Sequence, residues 1–366
     1  MFKGEKTIWD IAIEESKKTK RASYQNPEDD QEGIKTKDES TIFVIGSKDA
    51  GKTSIILRFL DKDEIPKPTT ALEYTFGRRA RGHNIAKDVG HIWELGGGTF
   101  LSKLIDVPIK VETIDSISII LVLDLSKPHE LWNTMETMLQ VARERIERVI
   151  SEAAAKDSAI QQRLRRRAWK QFGENHPDKD MIEPFPVPLV IIGSKYDIFQ
   201  DFDSEKRKVI GRTLRFIAHS HGASLLFCSM KTESLVIKTR QLISHLVFGT
   251  AAGKTISLDA NKPIIVPAGN DSLQQIGPPP VSEGDIGKLT ARSPLELWKQ
   301  AYTSFFPQQA GSTSVAEDPA KDPQYTEPAV DNIRAQKDEE LERYRRQSER
   351  KVREMARGGV WEDVKV

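Results

Sequence analysis

Thr41-Ile42-Phe43-Val44-Ile45 runs directly into Gly46-Ser47-Lys48-Asp49-Ala50-Gly51-Lys52-Thr53. The first five residues are apolar and rich in β-branched side chains, as a buried strand requires. The next eight match the spacing G-x-x-x-x-G-K-[ST], and helix-compatible sequence follows from Lys52. A strand, this loop and then a helix is the setting in which the pattern binds phosphate. Glycines let backbone N–H groups curl around phosphate oxygens, and the helix N-terminus contributes its positive end. Lys52 reaches the terminal phosphates and Thr53 holds magnesium. The candidate phosphate-binding set is Gly46, Lys48, Asp49, Ala50, Gly51, Lys52, Thr53 and Ser54.

Outward from this loop, apolar runs alternate with longer amphipathic stretches, the texture of an α/β protein with helices covering both faces of a sheet. The pattern predicts six strands, near 41–46, 72–78, 88–95, 117–124, 188–193 and 224–228, in a mostly parallel sheet. Helices are expected over Lys52 to Asp61, as one long element within about 129–172, and over Ser204 to Gly222 and Lys231 to Phe248. Gly249 caps the last of these. Leu235, Leu242 and Leu246 define the expected inner face of that last helix.

Three further segments extend the chemistry. Ser194-Lys195-Tyr196-Asp197 follows the fifth strand and is similar to the base-recognition element of G proteins, with serine where asparagine is usual. There Asp197 accepts hydrogen bonds from the guanine ring N–H and amine, and the Lys195 stem lies along the base. Adenine lacks that donor pair, which weighs against an ATPase or small-molecule kinase. After the sixth strand, Ser229-Met230-Lys231 is similar to the element that meets the guanine oxygen, so Ser229 and Lys231 join the set. His91-Ile92-Trp93-Glu94-Leu95-Gly96-Gly97-Gly98 stands where G proteins carry Asp-x-x-Gly, with Glu94 for the aspartate and Gly97 for the glycine. Glutamate is one methylene longer, and magnesium tolerates little departure from octahedral geometry. Gly98 replaces the glutamine that orients the attacking water. These residues describe a Ras-like P-loop domain without efficient GTPase activity. Thr69 and Thr70 are the switch I candidates, and Thr53 with Thr70 forms the expected magnesium pair.

Composition narrows the classes. Among 366 residues, 55 basic against 54 acidic side chains give a net charge of +1, without the basic excess of a dedicated nucleic-acid binder. The single cysteine, Cys228, excludes an intrachain disulfide and reads as a buried strand residue. No His, Cys and carboxylate set has the sequence spacing of a zinc site. Ile117 to Leu125 and Val187 to Gly193 are too short to span a bilayer. No signal-peptide core precedes them, and Phe2 is not the glycine of a myristoylation signal. The expectation is a cytoplasmic chain with no membrane insertion and no nucleic-acid partner.

The chain divides into four expected regions. Residues 1–40 hold a docking helix over 6–16, carrying Ile8, Trp9, Ala12 and Ile13, and a polar linker. Residues 41–250 form the P-loop domain with a helical insertion at about 129–187. There Arg163, Arg165, Arg166 and Arg167 read as a solvated face. Residues 251–310 are a Pro/Gly-rich extension packing on the domain, with an amphipathic piece from Pro294 to Phe306. Residues 311–366 are a linker and a charged helical tail. Its Ile333, Leu341, Tyr344, Val352 and Met355 are too sparse for a heptad seam.

Phrases beyond the general G-protein elements carry a family resemblance. The P-loop together with Ala71-Leu72-Glu73-Tyr74-Thr75-Phe76-Gly77-Arg78-Arg79, Trp93-Glu94-Leu95-Gly96-Gly97-Gly98 and Leu123-Asp124-Leu125-Ser126-Lys127-Pro128 resembles the dynein light intermediate chains. Pro184 to Asp203 and Ser293 to Trp298 resemble the dynein 2 branch of that family. The resemblance implies a noncatalytic subunit packed on the tail of the dynein 2 heavy chain, supporting retrograde intraflagellar transport and cilium assembly. It implies as further partners other dynein 2 subunits and intraflagellar transport particles. It implies a place in the cytoplasm, the cytoskeleton and the cilium, at axoneme and basal body. No cofactor is required on this reading; a retained pocket takes GDP or GTP with Mg²⁺. The alternative is a nucleotide-dependent GTP switch that regulates motor assembly or cargo attachment.

Overall fold

The computed structural model describes residues 39–80, 88–280, 291–309 and 326–358. The expected docking helix over 6–16 lies outside them.

Seven strands form one sheet: β1 (Glu39–Gly46), β2 (Leu72–Arg79), β3 (Asp88–Leu95), β4 (Ile117–Asp124), β5 (Leu189–Ser194), β6 (Ser224–Phe227) and β7 (Ile265–Val266). Their order is β2-β3-β1-β4-β5-β6-β7. The five inner strands pair in parallel, and β2 and β7 pair antiparallel at the two edges. The sheet is therefore mixed, with one strand more than the six expected. β7 has only two residues, too few to show an alternating pattern. Every residue of β4 and β5 is buried, as central strands covered on both faces must be, whereas edge strand β2 is largely exposed.

Alternation along the strands divides the core into two layers. Phe43, Ile45, Ile119, Leu121, Leu189, Ile191, Leu225 and Phe227 face one way. Ile42, Val44, Ile120, Val122, Val190 and Ile192 face the other. The first layer lies under α2 (Pro128–Ala154), α3 (Ile160–Phe172) and α4 (Ser204–Ser220), the second under α1 (Lys52–Phe59) and α5 (Glu233–Phe248). On α5 the buried face is Leu235, Val236, Thr239, Ile243 and Val247, while Leu242 and Leu246 are half-buried. The inner face is thus turned by about one residue from the expected leucine stripe.

α2 and α3 replace the single long helix expected over 129–172. The chain leaves the helix at Ala155, and the Asp157 carboxylate accepts the Ala159 N–H (3.0 Å), a local turn competing with the helical ladder. The arginine run is only half solvated. Arg165 and Arg166 are exposed, but Arg163 donates to Asp115 and Asp157, and Arg167 donates to the Asp115 carbonyl. These two arginines tie α3 to the loop before β4.

The chain beyond α5 packs back on the first layer. In α6 (Pro294–Phe305), Ser293 caps the Glu296 N–H and proline occupies the first turn. Trp298 stacks on Phe216 of α4 with ring centroids 4.6 Å apart, and the buried Tyr302 hydroxyl donates to the Pro128 carbonyl at the start of α2. Upstream, Arg215 of α4 makes a two-pronged ion pair with Asp271 (2.7 and 2.8 Å). α7 (Pro328–Gly358) is exposed from its first turn through Glu354 and carries i,i+3 and i,i+4 ion pairs such as Glu339–Arg343.

Candidate functional site

The loop between β1 and α1 has the backbone of a phosphate cradle. Gly46 sits at φ 138°, and a Cβ there would come within 1.9 Å of the Val122 carbonyl oxygen. Ser47 N–H donates to that same oxygen (3.1 Å), pinning the loop to β4. Gly51, at φ 81°, turns the chain into α1. Lys48 and Asp49 are exposed, Ala50 and Lys52 buried, and Thr53 and Ser54 half-buried.

Lys52, Thr53 and Glu94 at the phosphate end each have a partner inside the protein. The Lys52 ammonium donates to the Ser47 carbonyl (2.8 Å). Burial lowers its pKa, opposed by the charges of Glu94 and Asp49. Thr53 Oγ1 donates to Glu94 Oε1 at 2.8 Å. Burial raises the Glu94 carboxyl, against the pull of the Thr53 hydrogen bond and the Lys52 charge. The longer glutamate thus reaches the threonine directly, where an aspartate would leave room for a magnesium-bound water.

The glycine run after β3 closes over the same end. A Cβ on Gly98 would lie 3.1 Å from Lys48 N, and one on Gly96 would lie 2.2 Å from the Thr69 carbonyl oxygen. Gly96 N–H also donates to the Ala71 carbonyl (2.7 Å). Of the two switch I candidates, Thr69 approaches Thr53, with hydroxyl oxygens 3.4 Å apart, while Thr70 is exposed. Thr53 with Thr70 is the expected magnesium pair, and here Thr69 is the one that neighbours Thr53.

The base end is likewise internally paired. Lys195 Nζ lies 2.6 Å from Asp124 Oδ2, whose other oxygen accepts both the N–H and the hydroxyl of Ser126. Ser194 donates to the Leu123 carbonyl, fixing this loop to β4. Asp197 accepts from Ser229 Oγ (2.8 Å) and pairs with Lys231 Nζ (2.7 Å). Burial works to raise the Asp197 carboxyl, but the hydrogen bonds from Lys231 and Ser229 outweigh it and hold the group below the usual carboxylate range.

The sequence-selected residues therefore converge on the C-terminal ends of β1, β3, β5 and β6, the crevice where open α/β sheets bind ligands. The residue missed is Asp124. An acid closing an almost wholly apolar strand two residues before a serine was the available signal.

A cluster elsewhere was invisible to spacing. His176, Asp178 and His219 bring potential ligand atoms within 4.8 Å of one another. The His219 ring is hydrogen-bonded to Asp178 (2.8 Å), and His176 Nδ1 accepts the Asp178 N–H. The same Asp178 oxygen accepts the Leu273 N–H, and His176 Nε2 bonds the Asp271 carbonyl. These contacts hold the chain near Asp271, so the cluster serves as a fastening for the extension.

The phosphate cradle fits a nucleotide diphosphate by its backbone. Gly46 to Ser54 would hold the phosphates and magnesium, and Lys195, Asp197, Ser229 and Lys231 the base. Such a ligand would supply a metal-bridged phosphate chain as a structural element. No group in the Gly98 position can orient a water for its hydrolysis.

Comparison with known proteins places this geometry. A family model described as Dynein light intermediate chain (DLIC) matches residues 29–187. Cytoplasmic dynein 2 light intermediate chain 1 of Bos taurus is 55% identical over 343 residues, covering 93% of this chain and 96% of that protein. Its Homo sapiens counterpart is 53% identical over the same shares. A solved structure, the conserved domain of a dynein light intermediate chain, superposes with a TM-score of 0.51 at 15% identity, covering 73% of this chain and 89% of the other.

Proposed function

This chain belongs to the dynein light intermediate chain family, and from that premise we propose that it is a noncatalytic subunit of a cytoplasmic dynein 2 motor. It binds and stabilises the heavy-chain tail, working with other dynein 2 subunits and intraflagellar transport particles in the cilium. The observation that carries this reading is the likeness to cytoplasmic dynein 2 light intermediate chains over 93% of this chain, far more than the P-loop domain alone.

The pocket supports a scaffold over a working switch. Glu94 is engaged by Thr53, Lys195 by Asp124 and Asp197 by Lys231, so nucleotide entry exchanges existing contacts for new ones. Gly98 supplies no side chain for catalysis. No cofactor is required, and GDP or GTP with Mg²⁺ is a weak, optional ligand.

The test is heavy-chain tail binding by wild type and Lys52→Ala, each with GDP, a GTP analogue or no added nucleotide. The expected outcome is the same affinity, within about twofold, in all six conditions. A ligand shifts a state only through differential binding, so a tenfold dependence on nucleotide in wild type, lost in the variant, would establish the switch instead.

A further inference from the structure

A groove of about 980 Å³ lies at the β2 edge of the sheet, far from the P-loop. Its floor is apolar, formed by Phe59, Leu60, Gly77 and Phe248, with the two phenylalanine rings 6.2 Å apart. Phe76 and Ile237 on its walls remain 45% and 47% exposed. The rim is cationic, carrying Lys62, Arg78, Arg79, Arg240 and Lys254. Among the described residues lining the groove none is acidic, although Arg240 reaches out to Asp61 (3.2 Å). An apolar trough with a basic rim fits an acidic amphipathic helix.

The chain carries such a segment. Glu5 to Ser16 places Ile8, Trp9, Ala12 and Ile13 at helical spacing, and its acids Glu5, Asp10, Glu14 and Glu15 face a single base, Lys6. The point where the chain enters the fold is close by. Glu39 at the start of β1 pairs with Val89 of β3, which pairs with Arg78 of β2, so one cross-strand row runs from the chain entry to the groove rim. That row spans two strand spacings, roughly 10 Å. Between Ser16 and Glu39 lie 22 residues, and a generic coil of that length has a root-mean-square reach of roughly 25 Å, enough for the span with slack. A segment so tethered meets the groove at millimolar effective concentration, an advantage that no free partner has.

We propose that residues 5–16 of this chain dock intramolecularly in the groove between β2, the end of α1 and α5, with Ile8, Trp9 and Ile13 on its floor and the acids toward its basic rim. The proposal does not rest on the motor reading. It gives the groove a resident occupant and makes the first residues part of the folded unit.

The experiment uses the full chain, purified alone, with a photoreactive phenylalanine analogue at Ile237. The expected product is an intrachain adduct with the peptide containing Trp9, its yield independent of protein concentration. Arg78→Glu with Arg240→Glu should lower that yield by about fivefold, from the loss of exposed ion pairs. Adding Glu14→Lys and Glu15→Lys should restore it. All four positions lie on the surface or outside the described residues, so folding is not at stake. No adduct with residues 5–16, an adduct formed only between two copies, or a yield indifferent to both charge changes would overturn the proposal.

Discussion

The nucleotide pocket and the seam that fastens the extension are both built from polar pairs, yet they differ in what surrounds them. At the seam, Arg215 and Asp271 are 8% and 3% exposed and share two hydrogen bonds. In the pocket, Asp197 is 19% exposed and its partner Lys231 is 78% exposed. A buried ion pair cannot hand either charge to water when its partner leaves, whereas a pair open on one side can. The seam is therefore fixed and the pocket exchangeable, although their distances are nearly equal.

The seam should respond most. Asp271→Ala leaves the Arg215 guanidinium buried without its counter-charge, an expected loss of about 3–5 kcal/mol in urea unfolding. Mutation of both residues to apolar side chains should recover much of this. If Asp271→Ala costs under about 1 kcal/mol, the contrast between the two regions collapses. Next comes the one pocket position fixed by geometry alone. Gly46→Ala forces a Cβ at φ 138° against the Val122 carbonyl, at an expected cost of about 2–3 kcal/mol from backbone strain and displacement of β4. A wild-type melting curve for that variant would mean the loop relaxes freely.

Acid should also act on the fold through its buried histidines. Burial pushes the His221 imidazole down to about 4, with help from the Arg143 guanidinium, which hydrogen-bonds its Nδ1. Burial also lowers His219, against the opposing pull of Asp178. A histidine with a depressed folded pKa stabilises the fold fully above its unfolded value near 6.5. That stability declines as pH falls toward the folded value. Unfolding free energy should therefore drop by about 1–2 kcal/mol between pH 6.5 and 4.5 on account of His221. His221→Gln, which keeps an acceptor for Arg143, should flatten that slope, and an unchanged slope would place the titration elsewhere.

What the sequence revealed follows the same division between local and assembled features. The Gly46 to Thr53 spacing and the continuous apolar runs of β4 and β5 are local, so strand positions and the P-loop were legible at once. Glu94 and Gly98 were also readable as departures, because each occupies a motif position. The partner of Lys195 was not, since Asp124 lies 71 residues away and meets it only across adjacent parallel strands. The seam was invisible for the same reason: Asp271 and Arg215 belong to different regions, and nothing in their neighbourhoods marks a buried pair. Which of Thr69 and Thr70 lies beside Thr53 was not legible either, since spacing alone does not orient two successive threonines in a loop.

The smallest effect sharpens the comparison most. Lys231 is largely exposed, and its pair with Asp197 contributes little to the fold. Lys231→Ala should leave the melting temperature within experimental error. Its consequence lies in the pocket, where Asp197 keeps only the Ser229 hydroxyl and can turn its free oxygen toward a guanine edge. If pairing is what keeps nucleotide affinity low, the variant should bind GDP about two- to fivefold more tightly than wild type by calorimetry, the scale of one exposed ion pair released. Weaker binding would instead make Lys231 a direct contact to the base. The pocket would then be held open for guanine by the pair that here fills it.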